Sequence, residues 1–341
     1  MNKNQIENWL LFFQDRGLSH ELISSYIPYI LTLQEKNIPV IFEKQHLSHL
    51  IGIKERLLDK IIICPDKFYR EFTIPKKNGG RRNIKSPYPS LLMCQKWIYK
   101  NILLKDIPHP SCHGFTPLKS IITNALVHTQ KKCILKMDLK DFFPSIPINW
   151  VIQYFMSIGY THNVSFSLAS LCCYERNLAQ GAATSPYLSN LLLKKFDSRI
   201  ESLCLKYKIT YSRYADDLTF SGEYIPHNFS AIVEEIIKNY GLTTNKEKTR
   251  LMINTNQKIV TGISVAGEKI SLPRKYKRKI KNELHFIMTY GYVSHINNLK
   301  VKDPNYLLSL LGKINFWLQV EPDNALALKG RNYLLKIIRN E

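Results

Sequence analysis

A chain of 341 residues that is 45% hydrophobic and 11% aromatic has material for a large core and for two or three domains. Forty-eight Lys and Arg against 27 Asp and Glu leave a net charge of +21, which predicts a polyanionic partner and binding that weakens with salt. The sequence has no signal peptide, no basic amphipathic terminal helix and no apolar run of about 18 residues, so no membrane partner and a cytoplasmic location are expected. Seven cysteines without a Cys-x-x-Cys pair argue against a disulfide framework and a zinc site.

Residues 1–60 read as helices, with Ile6, Leu10 and Phe13 on one apolar face, Leu22, Ile23, Tyr26 and Ile30 on a second, and Leu50, Ile53 and Leu57 on a third. Two β-favouring runs then flank Asn78-Gly79-Gly80 within residues 66–87, a hairpin signal crowded by Lys76, Lys77, Arg81 and Arg82. An amphipathic helix is expected over residues 91–104, turning Leu92, Trp97, Ile98 and Ile102 inward beneath a sheet. His113 and His128 have no paired cysteine and ordinary spacing, which favours hydrogen-bonding structural roles over a metal or a general base.

In residues 132–146, Cys133, Leu135 and Met137 alternate with Ile134, Lys136 and Asp138, which is strand periodicity, and Pro144 stops it. Helical segments fill 150–173. The run Ala179-Gln-Gly-Ala-Ala-Thr-Ser-Pro186 follows; its small residues let a bound ligand approach the backbone closely, and Gln180 can both donate and accept hydrogen bonds there. A helix over 187–197 should pack beneath the next element. That element is a hairpin over Tyr211–Ser221, where Tyr211, Leu218 and Phe220 suit a half-buried ladder and Asp216 and Asp217 occupy the turn.

Two carboxylates about 4 Å apart repel by roughly 4 kcal/mol at an intermediate dielectric. A divalent cation reverses that sign. An isolated Asp-Asp would be read as a polar hairpin tip, but Asp138 ends a second strand. If the two strands are neighbours, three carboxylates and the Leu139 carbonyl converge, a hard-oxygen set suited to two Mg²⁺ ions about 3.5 to 4 Å apart, with Mn²⁺ as an alternative.

Downstream, a helix over 231–240 carries Ile232, Val233, Ile236 and Ile237 and stops at Gly241. Strands are expected within 251–265, around Val260-Thr-Gly262. The last 76 residues hold fourteen Lys and Arg against six Asp and Glu, and six of the eight residues from Arg274 to Lys281 are basic. Tyr276, Ile280, Leu284 and Ile287 recur at helical spacing, so this helix can bury one face and present Arg274, Lys277, Arg278 and Lys281 to phosphates. A further helix is marked by Leu307, Leu311, Ile314 and Leu318.

Tyr214-Ala-Asp-Asp217, with Asp138-Leu-Lys-Asp-Phe-Phe143 upstream and Gln180-Gly-Ala-Ala-Thr-Ser-Pro186 between, resembles the catalytic core of a reverse transcriptase over roughly residues 65–290. Asn124-Ala-Leu-Val-His128 and Val260-Thr-Gly262 are similar to two motifs of the bacterial retron enzymes. The resemblance implies an α+β right-hand polymerase. An N-terminal helical extension (1–60) would precede fingers and a palm of antiparallel sheet backed by helices (61–265), then a helical thumb (266–341). It further implies that Lys76 and Arg82 grip the triphosphate and that a ring at Phe143, with Phe142 the alternative, rejects a 2′-hydroxyl. Lys248 would protonate the departing pyrophosphate, with Lys246 or a plain surface lysine as the alternatives.

The same resemblance implies DNA synthesis from deoxynucleoside triphosphates on a cognate structured noncoding RNA. Priming from an RNA 2′-hydroxyl would give a branched RNA–DNA product, in antiphage defence with an effector protein. Group II intron, diversity-generating and abortive-infection enzymes share such a palm; an end at Glu341 leaves no room for the maturase and endonuclease extension of the first. An RNA-binding protein on a retired polymerase scaffold is the non-enzyme alternative, and intact Asp138, Asp216 and Asp217 speak against it.

Overall fold

The computed structural model describes residues 3–76, 79–253 and 257–339. Lys77 and Asn78 of the expected hairpin tip, and the side chain of Ile6, lie outside the described residues. The chain divides into two compact units that interleave along the sequence. One comprises Met1–Phe115, Leu139–Arg199 and Val233–Thr244, the other Thr116–Asp138, Ile200–Ile232 and Asn245–Glu341. Helices and antiparallel sheets are mixed throughout, the α+β class expected from the sequence.

The second unit is organised on a four-stranded antiparallel sheet in the spatial order Thr210–Tyr214, Asp217–Gly222, Cys133–Asp138, Arg250–Ile253. Cys133–Asp138 lies between two partners and buries residues of both parities, which is why Ile134 as well as Leu135 and Met137 is apolar. On one face Tyr211 stacks on Phe220 at 5.3 Å, and Phe229 meets Phe220 edge-on at the same distance. Ile134 also belongs to an apolar core with Val260, Ile263, Ile280, Leu284, Ile314 and Trp317, so the sheet and the C-terminal helices of this unit share one interior. Those helices are Arg274–Tyr290, Tyr292–Leu299, Tyr306–Val320 and Ala325–Arg339.

The first unit is mainly helical. Its N-terminal helices are Lys3–Asp15, His20–Glu35, Lys44–Ile51 and Glu55–Ile63. Phe13, Ile23 and Ile30 are buried on the expected faces, with Leu10 and Tyr26 packed against them; the departures are two leucines. Leu22 and Leu50 are exposed, and Leu33, Leu47, Leu58 and Ile61 are buried instead. The reason is local: Gly52 takes φ +82° and ends one helix, so the apolar period restarts at Glu55 rather than running from Leu50 to Leu57. Likewise the helix Pro89–Asn101 buries Leu91, Cys94, Gln95 and Ile98, leaving Leu92 and Trp97 half-buried. It packs against the strand Arg81–Pro87 and the helix His162–Cys172. The expected helix over 187–197 is two helices, Ser185–Leu192 and Lys194–Lys206, broken at Leu193.

Strands Tyr69–Pro75 and Arg81–Pro87 form the expected basic hairpin, alone as a two-stranded sheet. No helix among the described residues is long and apolar enough to cross a membrane.

Candidate active site

The hairpin that carries Asp216 and Asp217 turns in two residues. Tyr214 pairs with Asp217, leaving Ala215 and Asp216 as the loop, and Ala215 sits at φ +57°. Two-residue hairpin loops need positive φ to match strand twist, and Ala adopts it only under constraint. The constraint is the buried Arg213, whose guanidinium donates to the Ala215 carbonyl at 3.1 Å.

Asp217 opens the return strand and lies directly across from Asp138. Side chains alternate along strands, so Asp138 and Asp217 share a face with the next cross-strand pair, Lys136 and Thr219. The Asn245 amide donates to the Asp138 carbonyl at 2.7 Å and fixes the end of that strand.

The carboxylates are poorly neutralised. Asp138 is buried, and both its oxygens accept from Lys248 Nζ at 2.9 Å. That hydrogen bond raises the Lys248 pKa and keeps the ammonium charged. Burial pushes Asp216 up to about 6, with the charges of Asp217 and Asp138 adding to the rise. Asp217 is raised by burial too; Lys136 pulls it back, and Asp138 pushes it further up. Among the described residues no three His, Cys, Asp or Glu side chains gather closely enough to hold an ion as they stand, since the Asp138 oxygens face Lys248. The donor set nonetheless fits a hard divalent ion: burial first, and the like charge of neighbouring carboxylates second, hold Asp216 and Asp217 above their ordinary range, and a cation bound beside them would offset both.

The other expected residues fall as follows. Leu139 is buried and forms an isolated bridge with Thr244. Lys76 and Arg82 are exposed on the basic hairpin, where the Lys76 amide donates to the Gly80 carbonyl and Arg82 lies opposite Ile74. Phe142 is buried and Phe143 only half-buried, against Phe142 at 5.2 Å and Phe115 at 6.4 Å.

Gln180 is half-buried, and its carbonyl accepts from the Lys85 amide at 2.9 Å. The smallness of Gly181 has a nearer cause than template or nucleotide. At φ +125°, a Cβ there would stand 2.6 Å from the Lys85 carbonyl oxygen, so it is the protein's own hairpin that needs the space.

On the basic helix Arg274, Arg278 and Lys281 are exposed, but Lys277 is not with them. It turns inward and pairs with Glu321 at 3.0 Å, and that carboxylate also caps the Leu272 amide at 2.9 Å. The helical wheel aims Lys277 outward only while Glu321, 44 residues on, is ignored.

The family model for reverse transcriptase (RNA-dependent DNA polymerase) matches residues 74–287. The retron Ec86 reverse transcriptase of Escherichia coli is 33% identical over 84% of this chain and 94% of its own length. This chain belongs to the retron reverse transcriptases. The retron Mx65 reverse transcriptase of Myxococcus xanthus, also 33% identical, aligns with 64% of this chain and 56% of its own. Among solved structures, apo telomerase from Candida tropicalis covers 80% of this chain and 58% of its own at 12% identity, with a TM-score of 0.46.

As a retron reverse transcriptase the chain is an RNA-directed DNA polymerase, and enzymes of this family use divalent metal ions. Its sequence hides several residues that hold the site. Arg213, Ser212 and Ser221 are fully buried, although basic and hydroxyl side chains in a hairpin read as solvent-facing. Gln95 is buried in the first unit, donating to Tyr69 Oη at 2.7 Å and the Leu171 carbonyl at 3.0 Å and accepting from the Ala183 amide at 2.9 Å. A glutamine among Leu91, Cys94 and Ile98 on one helical face is the signal that could have found it.

Proposed function

We propose that this reverse transcriptase copies a cognate structured noncoding RNA around Asp138, Asp216 and Asp217, starting from an RNA 2′-hydroxyl and leaving a branched RNA–DNA product. One observation carries the reading: Asp138 and Asp217 are cross-strand partners, with Asp216 in the adjoining turn and Lys248 on both Asp138 oxygens. In this reading the three carboxylates and the Leu139 carbonyl hold two Mg²⁺ ions, or Mn²⁺ in their place. Bound there, the ions activate the primer hydroxyl and offset charge on the leaving pyrophosphate.

The chain's own residues orient and complement the reactants. Lys248, kept protonated by its carboxylate partner, supplies the proton to pyrophosphate. Lys76 and Arg82 grip the triphosphate, Gln180 meets the nucleotide, and the half-buried Phe143 ring excludes a 2′-hydroxyl while Phe142 serves as core. Arg274, Arg278 and Lys281 take RNA phosphates. Residues 61–265 act as fingers and palm, 266–341 as thumb and 1–60 as a helical extension. On this reading the chain works in the cytoplasm, in antiphage defence beside an effector protein.

The test is primer extension by the purified chain on an RNA template. An Asp216→Asn, Asp217→Asn double variant should lose synthesis by about a thousandfold or more. Unchanged synthesis would overturn the site assignment. Sequencing the nucleic acid that copurifies should find DNA joined to an RNA 2′-oxygen; DNA with an unlinked 5′ end would remove the priming claim and leave the polymerase.

A further inference from the structure

His128 is fully buried in the second unit and its ring spans the catalytic hairpin. Nδ1 lies 2.6 Å from Ser221 Oγ on one strand, and Nε2 lies 2.7 Å from Ser212 Oγ on the other. The proton inventory orders these bonds. Ser212 has one hydroxyl hydrogen and donates it to Asn124 Oδ1 at 2.7 Å, so toward His128 it can only accept. Neutral His128 therefore carries its proton on Nε2, and Nδ1 accepts from the Ser221 hydroxyl.

The chain of bonds runs on in one direction. Asn124 Nδ2 donates to Thr261 Oγ1 at 3.5 Å, and that hydroxyl donates to the Ile121 carbonyl at 3.0 Å. Thr261 is β-branched at φ +45°, a backbone state such residues rarely adopt unless their surroundings hold them there. The two retron-like motifs, Asn124–His128 and Val260–Gly262, are thus joined in one network that takes in both strands of the hairpin, with Ser212 between His128 and Asn124 and Ser221 at one end.

Register is what the network controls. Ser212 and Ser221 share a sheet face with Asp217 and Asp138, because 212 pairs with 219, 210 with 221 and 217 with 138. A slip of one residue would turn every side chain of a strand to the opposite face. A ring bonded to both strands at once resists that slip about 13 Å from Asp217, at roughly 3.3 Å per residue.

We propose that His128 is a positioning residue for DNA synthesis: by bonding Ser212 and Ser221 it locks the register of the catalytic hairpin, and Asn124 and Thr261 hold it in place. The proposal rests on the site reading above, in which Asp216 and Asp217 do the chemistry.

The experiment compares the full-length His128→Phe and Ser221→Ala variants with the parent on an RNA template annealed to a DNA primer. Phe keeps the ring and removes both bonds. The expected result is a kcat lowered about 10- to 100-fold, the cost of loosened support around an active site, with the template–primer Kd and the nucleotide KM within about twofold of the parent. His128→Gln, which restores the donor to Ser212, should recover part of kcat. Ser221→Ala opens little space and should lower kcat about severalfold, so it carries the test if His128→Phe fails to fold.

A folded His128→Phe chain with unchanged kcat would overturn the proposal. So would a loss confined to template–primer Kd, which would make His128 an RNA-binding determinant. Imidazole ¹⁵N spectra of the parent should identify Nε2 as the protonated nitrogen, and the opposite tautomer would also count against it. Because the double aspartate variant abolishes synthesis whatever His128 does, failure here leaves the active-site reading standing.

Discussion

Two antiparallel hairpins carry most of the expected chemistry, and they are built differently. Tyr69–Pro87 has two strands and no third; every described residue of Phe72–Arg82 is exposed, including the rings and chains of Phe72 and Ile74. Thr210–Gly222 lies in a four-stranded sheet and is buried almost throughout. A lone two-stranded ribbon is marginal in water, so the basic hairpin depends on its root. Tyr69 Oη accepts from Gln95, the Tyr88 amide donates to Phe68 and the Lys85 amide to Gln180. The catalytic hairpin is instead held along its length by Arg213 in the turn and His128 across the strands. On the proposed reading, carboxylates that must keep a fixed spacing are set in the sheet, whereas the cations proposed to meet an incoming anion ride on a ribbon.

The comparison breaks most severely at the root of the basic hairpin. Gly181→Ala would put a Cβ 2.6 Å from the Lys85 carbonyl at φ +125°, so backbone must shift as well as strain. The expected loss is about 2–3 kcal/mol in denaturant unfolding, with faster proteolysis between Pro75 and Arg81. Gly79→Ala is the control: φ is +86° but nothing lies within 4 Å, and about 1 kcal/mol should suffice. Equal costs would mean that the Lys85 contact is not what anchors the ribbon.

The catalytic hairpin is sharpened by pH. Asp216 has its pKa raised to about 6 from an ordinary 3.8. A carboxyl raised on folding favours the folded state while protonated, and that contribution is lost as pH climbs from about 4 through 6. At pH 8 the metal-free enzyme therefore carries Asp216 as a destabilising charge. Asp216→Asn should gain about 2 kcal/mol at pH 8 and little at pH 4, measured by chemical unfolding in a chelator. Added Mg²⁺ should narrow the gap by stabilising the parent more than the variant. A gain that persists undiminished at pH 4 would mean that burial and like charge are not what raises this group.

The same contrast explains what can be read in advance. The strand run Cys133–Asp138 and the hairpin Tyr211–Ser221 place the carboxylates, since both are short local patterns, although only Asp216 lies in the turn and Asp217 already opens the return strand. Which helical face is buried is a property of partners far along the chain. Leu22 satisfies the helical period and still faces water, and Lys277 looks like a phosphate ligand until Glu321 arrives beside it. Ser212 and Ser221 are invisible for a related reason: a hydroxyl in a strand reads as the wet face, and partners far along the chain, His128 for both and Asn124 for Ser212, make burial tolerable.

The smallest effect separates cations that meet RNA from cations that hold the fold. Arg278 is exposed on the helix Arg274–Tyr290, and Lys277, one residue before it, is spent on Glu321. If Arg278 neutralises a phosphate, Arg278→Ala should reduce the slope of log Kd against log salt for an RNA template–primer by about one, with stability unchanged. Lys277→Ala should leave that slope alone and cost about 1 kcal/mol of stability, because it strips the half-buried Glu321 carboxylate of its cation. Adjacent residues of the same charge then give opposite signatures. The pair discriminates because sequence alone assigns both to the same face: should Lys277→Ala flatten the salt dependence as much as Arg278→Ala, the ion pair must open on binding, and the cations of this helix would have to be counted by availability to RNA rather than by exposure.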